Sequence, residues 1–225
     1  MNAGLTPLWI SIKTSLLATF ITFFIGIGTA YLVANYRGKW RGFIDSLFTL
    51  PLVLPPTVLG FFLLLLFGKN GPMGKLLALM DTSIIFTWSA TVIAAVVVAF
   101  PMMYRSARSD FEQIDNNLIS AAKTLGLSNW KIFYKIAIPL AWPGIIGGVV
   151  LSFARALGEF GATLMIAGNI PGKTQTMPLA IFFKVQAMDY TGAMLWVWTI
   201  VAISVVMILI LNKWSDKQQK IVGKR

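Results

Sequence analysis

Ser120-Ala121-Ala122-Lys123-Thr124-Leu125-Gly126, running on to Ile136-Ala137-Ile138-Pro139, is a basic, amphipathic stretch set between two long apolar runs. The runs on either side are long enough to cross roughly 30 Å of hydrocarbon, so the stretch reads as a small structured polar loop between two membrane spans. Ile114, Leu118, Ala121, Ala122 and Leu125 recur at helical spacing and make one apolar stripe, with Asp115, Asn116, Asn117 and Lys123 on the remainder. Gly126 is placed to end that helix in the left-handed conformation. Ser128 is placed to cap a second helix through Trp130, Ile132, Phe133 and Ile136 before Pro139. The spacing therefore predicts two short helices meeting at a sharp corner. Small side chains at 121 and 122 would let such a helix sit deep in a partner's groove. The five basic residues of the loop would equally draw an amphipathic hairpin onto a lipid surface.

Outward from this loop, the composition is that of a bilayer protein. Hydrophobic residues make up 57% of the chain and charged residues 12%, about half the ~25% of soluble domains. The net charge of +11 does not point to nucleic acid, because a soluble basic binder would not carry several membrane-length apolar runs. The chain has no Cys and no His, which removes disulfides, thiolate sites, the commonest metal ligand and the usual neutral-pH acid/base.

Five spans follow, at about 8–34, 43–67, 84–104, 140–167 and 193–211, within one all-α membrane domain covering 1–225. Met1 to Pro7 has no charged n-region and no small-residue cleavage site follows, so the first span is expected to be uncleaved. Thirteen Lys and Arg fall in the segments about 37–41, 105–139 and 213–225, against four in the alternate segments (Lys69, Lys75, Lys173 and Lys184). The positive-inside rule then puts the N-terminus outside and the C-terminus in the cytoplasm. Trp9, Trp88, Trp142, Trp196 and Trp214 lie near span ends, where interfacial anchors belong. The outer segment about 168–192 contains a weakly apolar stretch, 177–185, too short to cross and expected as an interfacial or re-entrant helix.

Polar residues and prolines inside the spans mark a candidate route. Pro51, Pro55 and Pro56 remove three backbone donors from span two, so Pro55-Pro56-Thr57 is expected to kink or break it, as a pore-lining hinge or a structural bend. Span four carries Ser152, Arg155, Glu159 and Thr163. An unpaired Arg at membrane depth costs roughly 2.5 to 3.5 kcal/mol, and Glu159, four residues on, can offset it from the same helix face. That face either frames a translocation pathway or locks helix to helix. Gly144, Gly147, Gly148, Gly158 and Gly161 offer close helix contacts.

Gly168-Asn169-Ile170-Pro171-Gly172-Lys173-Thr174 ends like a phosphate loop, yet it has three residues between its glycines where four are needed, and it reads as a Pro/Gly turn. With no other nucleotide motif, ATP chemistry is not expected on this chain.

Ala121-Ala122, the Gly at 126 and the Ile136-Ala137-Ile138-Pro139 ending resemble the cytoplasmic signature of membrane subunits in ATP-binding-cassette importers, where a short helix pair docks on the ATPase. Ser120 stands where that family usually has Glu, and Ile138 where it has Leu. Leu50 to Gly60, Leu66 to Gly74 and Ser152 to Thr163 look like molybdate importer permeases, across nearly the whole chain. Sulfate/thiosulfate permeases share a similar segment around Arg155 and Glu159 but usually carry more residues and another N-terminal span. The resemblance implies a type I importer permease in a bacterial or archaeal cytoplasmic membrane. It also implies a homodimer with two ATPase subunits and an extracytoplasmic binding protein for molybdate, with tungstate as co-substrate. Ser120, Ala121, Ala122, Leu125 and Gly126 would dock the ATPase, and ATP and Mg2+ would be bound there rather than here. A secondary transporter or channel would be expected to show inverted repeats and midplane titratable groups, of which only Glu159 is well placed. A membrane enzyme would need a catalytic constellation that the sequence lacks.

Overall fold

Leu54 and Pro55 each precede a proline, and the steric clash with the following ring drives both out of helical geometry, to ψ 136° and 138°. The second span therefore breaks into two helices bent by 112° rather than kinking. In this computed structural model the backbone is described for residues 5–222, and side chains through Ile210 and at Lys213. Met1 to Gly4, the side chain of Trp214 and those of the tail cations Lys217, Lys220, Lys224 and Arg225 lie outside the described residues.

The elements are α1 (Thr6–Asn35), α2 (Arg41–Val53), α3 (Pro56–Phe67), α4 (Pro72–Ala78), α5 (Trp88–Glu112), α6 (Asn116–Thr124) and α7 (Asn129–Ile132). A π-helical turn, Phe133–Ala137, leads into α8 (Ile138–Leu140), α9 (Trp142–Leu157), α10 (Gly161–Ala167), α11 (Met177–Gln186) and α12 (Tyr190–Val222). No strand occurs among the described residues, so the class is all-α. Among the described residues three helices, α1, α5 and α12, are long and apolar enough to cross a membrane, and the number is up to five if each of two bent pairs is one span.

Two spans differ from the sequence reading. The third starts at Trp88 and continues to Glu112, so the first part of the expected loop, 105–112, is helical. The fourth is not one helix: α9 ends at Leu157 and α10 starts at Gly161, while α9 itself is bent by 73° from the helical segment Asn129–Leu140. The short helix expected at 177–185 is present as α11.

Helix α5 is the hub, packed most extensively on α1 and α9, then on α10 and α2. At the waist the contact is made by alanines, Ala18 of α1, Ala95 and Ala99 of α5 and Ala156 of α9. Met103 is wedged where only glycine fits, since a Cβ on Gly26 or Gly148 would come within 2.8 or 2.7 Å of its side chain. Lipid tails are as apolar as Leu, so such close packing, rather than a hydrophobic drive, holds spans together. Helix α1 shows the same logic in its polarity. Ser11, Thr14, Ser15, Thr19 and Thr22 are buried, while Trp9, Leu16, Phe20, Phe24 and Leu32 are exposed. The hydroxyls reach across: Thr14 shares a 3.1 Å hydrogen bond with Thr91 and accepts one from the Trp88 indole, and Ser11 accepts from the N–H of Met177.

Of the expected tryptophan anchors, Trp9 is exposed and Trp142 partly so, but Trp196 is buried against Leu157, Met177 and Ala180. It is a packing residue, because α11 folds back over that end of α12. Beside it, Lys184 donates to Asp189 at 2.6 Å and the N–H of Gly192 donates at 2.9 Å. These bonds, chiefly that from Lys184, hold the Asp189 carboxyl below its ordinary 3.8. A pKa lowered by folding lends stability above the unfolded value and loses it as pH falls through the folded one. Lys184→Gln should therefore move the Asp189 midpoint up towards 3.8, read from its carboxyl carbon by NMR.

Candidate functional site

The α6–α7 corner is built from its own sequence. The Asp115 carboxylate accepts from the Asn117 N–H at 2.8 Å and starts α6. Gly126 has φ +79°, and the bonds from Gly126 N–H to Lys123 O (2.9 Å) and from Leu127 N–H to Ala122 O (3.1 Å) close the helix in a Schellman motif. Ser128 then caps α7, accepting from Lys131 at 3.4 Å. Both helices and the left-handed glycine stand where the spacing put them. The stripe, however, divides. Ala122 is buried at 6% exposure and Ile114 packs on the core, whereas Leu118 and Leu125 are 44% and 80% exposed, with Ser120, Ala121 and Gly126 exposed beside them. Ala122 thus faces the chain's own bundle, because a helix pressed against the spans must bury one side of its apolar arc. Leu118, Ala121 and Leu125, at i, i+3 and i+7, remain as an unpartnered apolar edge.

The second constellation lies where two broken helices meet. Helix α3 packs on α10. A Cβ on Gly60 would lie 2.7 Å from Met165 Cβ, and one on Gly161 would lie 3.0 Å from Pro56 Cβ and 3.3 Å from the Thr57 nitrogen. The Pro55-Pro56-Thr57 break therefore abuts the Gly158-to-Gly161 break. Gly161→Val should wedge the two apart and cost about 1–3 kcal/mol, seen as a lower unfolding temperature of the purified protein. Gly158, by contrast, makes no such close contact with another helix.

Glu159 sits in the second break. Its Oε2 accepts from Arg155 Nη1 at 2.9 Å and its Oε1 accepts from the Ala162 N–H at 2.8 Å. The pair forms as the spacing predicted, but Glu159 is not on the α9 face. The helix has already ended, and the carboxylate, 2% exposed, bridges Arg155 to the first turn of α10. Arg155 keeps 27% of its side chain exposed. Ser152 donates to the Ala99 carbonyl at 3.3 Å and Thr163 is buried. Thr57 and Pro55 are exposed at the rim. The structure thus brings Pro56, Thr57, Glu159, Arg155 and Gly161 to one region, with Ser152 and Thr163 on the helices entering and leaving it.

Two further polar devices escaped the sequence reading. Asp110, near the end of α5, accepts at 2.6 Å from the N–H of Gly144 and so caps α9 from another helix, with Ser106 donating to the Gly144 carbonyl. The Arg41–Glu112 and Arg108–Asp45 pairs and the Tyr104 hydroxyl, which donates to Asp45, tie α2 to α5, and an Arg108–Glu112 pair along α5 links them. An acid at 45 inside an apolar run was the available signal, but its partner lies 63 residues away. The Gly172-Lys173-Thr174 segment is a turn, as expected. The buried Thr174 hydroxyl donates to the Gly168 carbonyl and accepts from the Ile170 N–H, so it is occupied within its own loop.

The described residues thus combine an exposed apolar edge on α6, two broken spans that meet, and an ion pair with a buried carboxylate at the meeting point. Residues 22–225 match the family described as the binding-protein-dependent transport system inner membrane component. The chain belongs to that family: it is the permease subunit of an ATP-binding-cassette importer, a membrane component whose ATPase is a separate subunit. It is 44% identical to the putative molybdenum transport system permease protein YvgM of Bacillus subtilis, over 92% of each chain. It is also 34% identical to the sulfate transport system permease protein CysT of Escherichia coli, over 94% of this chain and 78% of that one. Among solved structures, a bacterial transporter involved in import of the acidic polysaccharide alginate shares the fold, with TM-score 0.76 at 13% identity over 96% of this chain and 80% of that one.

Proposed function

We propose that this subunit forms the pathway by which molybdate, and with it tungstate, enters the cytoplasm. The substrate assignment is supported by the 44% identity to a putative molybdenum permease over 92% of both chains. The sulfate permease likeness favours sulfate or thiosulfate as the second reading. In the assembly two copies of the chain pair with two ATPase subunits, which bind the ATP and Mg2+, and receive anion from an extracytoplasmic binding protein. The termini follow the charge bias, N-terminus outside and C-terminus inside.

The observation that carries the mechanism is the meeting of the two breaks around the Arg155–Glu159 pair. The exposed edge of α6, with Ser120, Ala121, Leu125 and Gly126, seats on the ATPase, while Ala122 holds α6 to the bundle. Displacement there passes through α7, the π-helical turn and the bend into α9, which ends at the break. A broken helix can re-aim its two halves without stretching its backbone hydrogen bonds, so Pro55, Pro56 and Thr57 on one side and Ser152 to Thr163 on the other act as a gate. Arg155, partly exposed, offers the positive charge that a dianion needs in low dielectric. Radiolabelled molybdate uptake by cells with and without this gene tests the substrate. Gene-dependent uptake blocked by tungstate but not by excess sulfate is expected, and uptake blocked by sulfate would favour the second reading.

A further inference from the structure

Helix α2 buries none of its thirteen residues within the chain, whereas α3, across the break at Leu54 and Pro55, buries Leu59, Gly60 and Leu63. Span two thus joins a loosely held half to one packed on α10. What fixes α2 is α5. The Phe48 ring stands edge-on to Phe100 and Tyr104, with centroids 5.5 and 5.3 Å away, and four charges form a ladder beside it. Arg41 and Asp45 are four apart on α2, and Arg108 and Glu112 are four apart on α5, so each two share a helix face. Arg41 meets Glu112 at 2.5 Å and Asp45 meets Arg108, which is an antiparallel register. Arg108 also donates to Glu112 at 2.7 Å, so the signs alternate from one end of the ladder to the other, and the Tyr104 hydroxyl donates to Asp45 at 3.0 Å.

We propose that this ladder carries movement of the ATPase-docking corner into α2, which makes Arg41, Asp45, Arg108 and Glu112 positioning residues of the gate. The inference rests on the docking role proposed for α6 above. Register is its first support. Sliding α2 by one turn along α5 would set Asp45 against Glu112 or Arg41 against Arg108, and the repulsion of like charges forbids both. The two helices therefore move together. Place is the second support. Glu112 ends α5, and Asp115, three residues on, caps α6. Arg41, Glu112, Asn116 and Ile119 bound one hollow of about 310 Å3, so the first residue of α2, the end of α5 and the docking helix come together there. The break itself is the third. Helix α3 stays with α10, where a Cβ on Gly60 would lie 2.8 Å from the Ala162 backbone. A shift of α2 with the docking corner is thus taken up at Leu54 and Pro55, where Pro55 and Pro56 have no N–H to bond across the break. Helix α9 brings the same movement to the other break, so both sides of the gate are driven from one corner.

The test uses the permease with its ATPase and binding protein in proteoliposomes and reads labelled molybdate accumulated per ATP hydrolysed, a ratio that a merely structural role would not move. Glu112→Arg, which sets a third cation against Arg41 and Arg108, should lower that ratio at least fivefold while the ATPase still copurifies. Inverting both rungs together, with Arg41→Glu, Asp45→Arg, Arg108→Asp and Glu112→Arg, keeps the net charge of each helix and restores the alternation. The ratio should then return to at least half of the wild-type value. An unchanged ratio in Glu112→Arg, or no recovery in the inverted chain at wild-type abundance, overturns the proposal. A second measurement leaves the ladder intact. The chain has no Cys, so Ser46→Cys and Ser109→Cys, both exposed and each one residue from a ladder member, can be bridged by a bifunctional thiol reagent. The bridged complex should keep at least half of its coupled uptake, and the bridging yield should agree within twofold with and without trapped ATP. Uptake blocked by the bridge, or yields further apart, would show α2 and α5 parting and overturn the proposal. Yield is read without substrate, so absent molybdate uptake by wild type counts against the anion assignment and leaves the ladder to be judged by yield.

Discussion

Leu125→Asp should abolish recovery of the partner ATPase with this subunit, and with it ATP-driven uptake, while leaving the amount of folded chain in the membrane unchanged. Leu125 is 80% exposed, so its replacement removes almost no contact within the chain. Exposed substitutions of that kind usually shift stability by less than about 0.5 kcal/mol. In a docked complex the same position behaves differently. Leu burial lost is about 1.5–3 kcal/mol, and an unpaired carboxylate pressed into an apolar groove adds a penalty of at least about 2 kcal/mol. A total near 4 kcal/mol is about a thousand-fold in affinity. Ala122→Leu is the contrasting variant. Ala122 is buried at the inner edge of the same apolar arc of α6, so the larger side chain should lower the abundance of the chain itself. If Leu125→Asp copurified with ATPase as well as wild type does, the exposed edge of α6 would not be the docking surface.

The second large effect is at the paired breaks. Glu159→Ala leaves Arg155 without its counter-charge and the Ala162 N–H without its acceptor. Removing one member of a buried pair costs about 3–5 kcal/mol; with Arg155 27% exposed, about 2–4 kcal/mol is expected, enough to deplete the protein from the membrane. Replacing both, with Arg155→Met and Glu159→Leu, removes the stranded charge, so abundance should recover in large part, with only the Ala162 N–H left without its acceptor, because well-packed apolar residues substitute for a buried pair at little cost. Uptake should not recover, since the positive charge at the break is gone. Abundance and uptake are measured on the same membranes, by immunoblot and by labelled molybdate. Recovery of both would make the pair a structural lock with no part in the pathway.

These contrasts also show what a linear reading could and could not see. Helix ends written in local chemistry were legible, namely Gly126 and Ser128 at the corner and the double proline at 55 and 56. The break at 158–160 was not, because no proline marks it. The i, i+4 spacing of Arg155 and Glu159 gave the right partners for a helix that ends before Glu159. Periodicity found the apolar arc on α6 but could not say which part presses on the bundle, a matter of tertiary packing that turned Ala122 inward and left Leu125 out. Links between distant helices, such as Asp110 to Gly144 and Arg108 to Asp45, have no sequence spacing at all. Trp196 met the positional rule for an anchor, and the fold of α11 over it made it core.

The central claim is that this chain moves anion only when coupled to an ATPase through α6. It is tested most directly in proteoliposomes containing the permease, its ATPase and its binding protein, by measuring accumulated labelled molybdate with and without ATP and with Leu125→Asp in place of wild type. The account predicts accumulation that requires ATP and all three components and falls to background with the variant. Accumulation by the permease alone, without ATP, would contradict it and identify a self-sufficient transporter or channel.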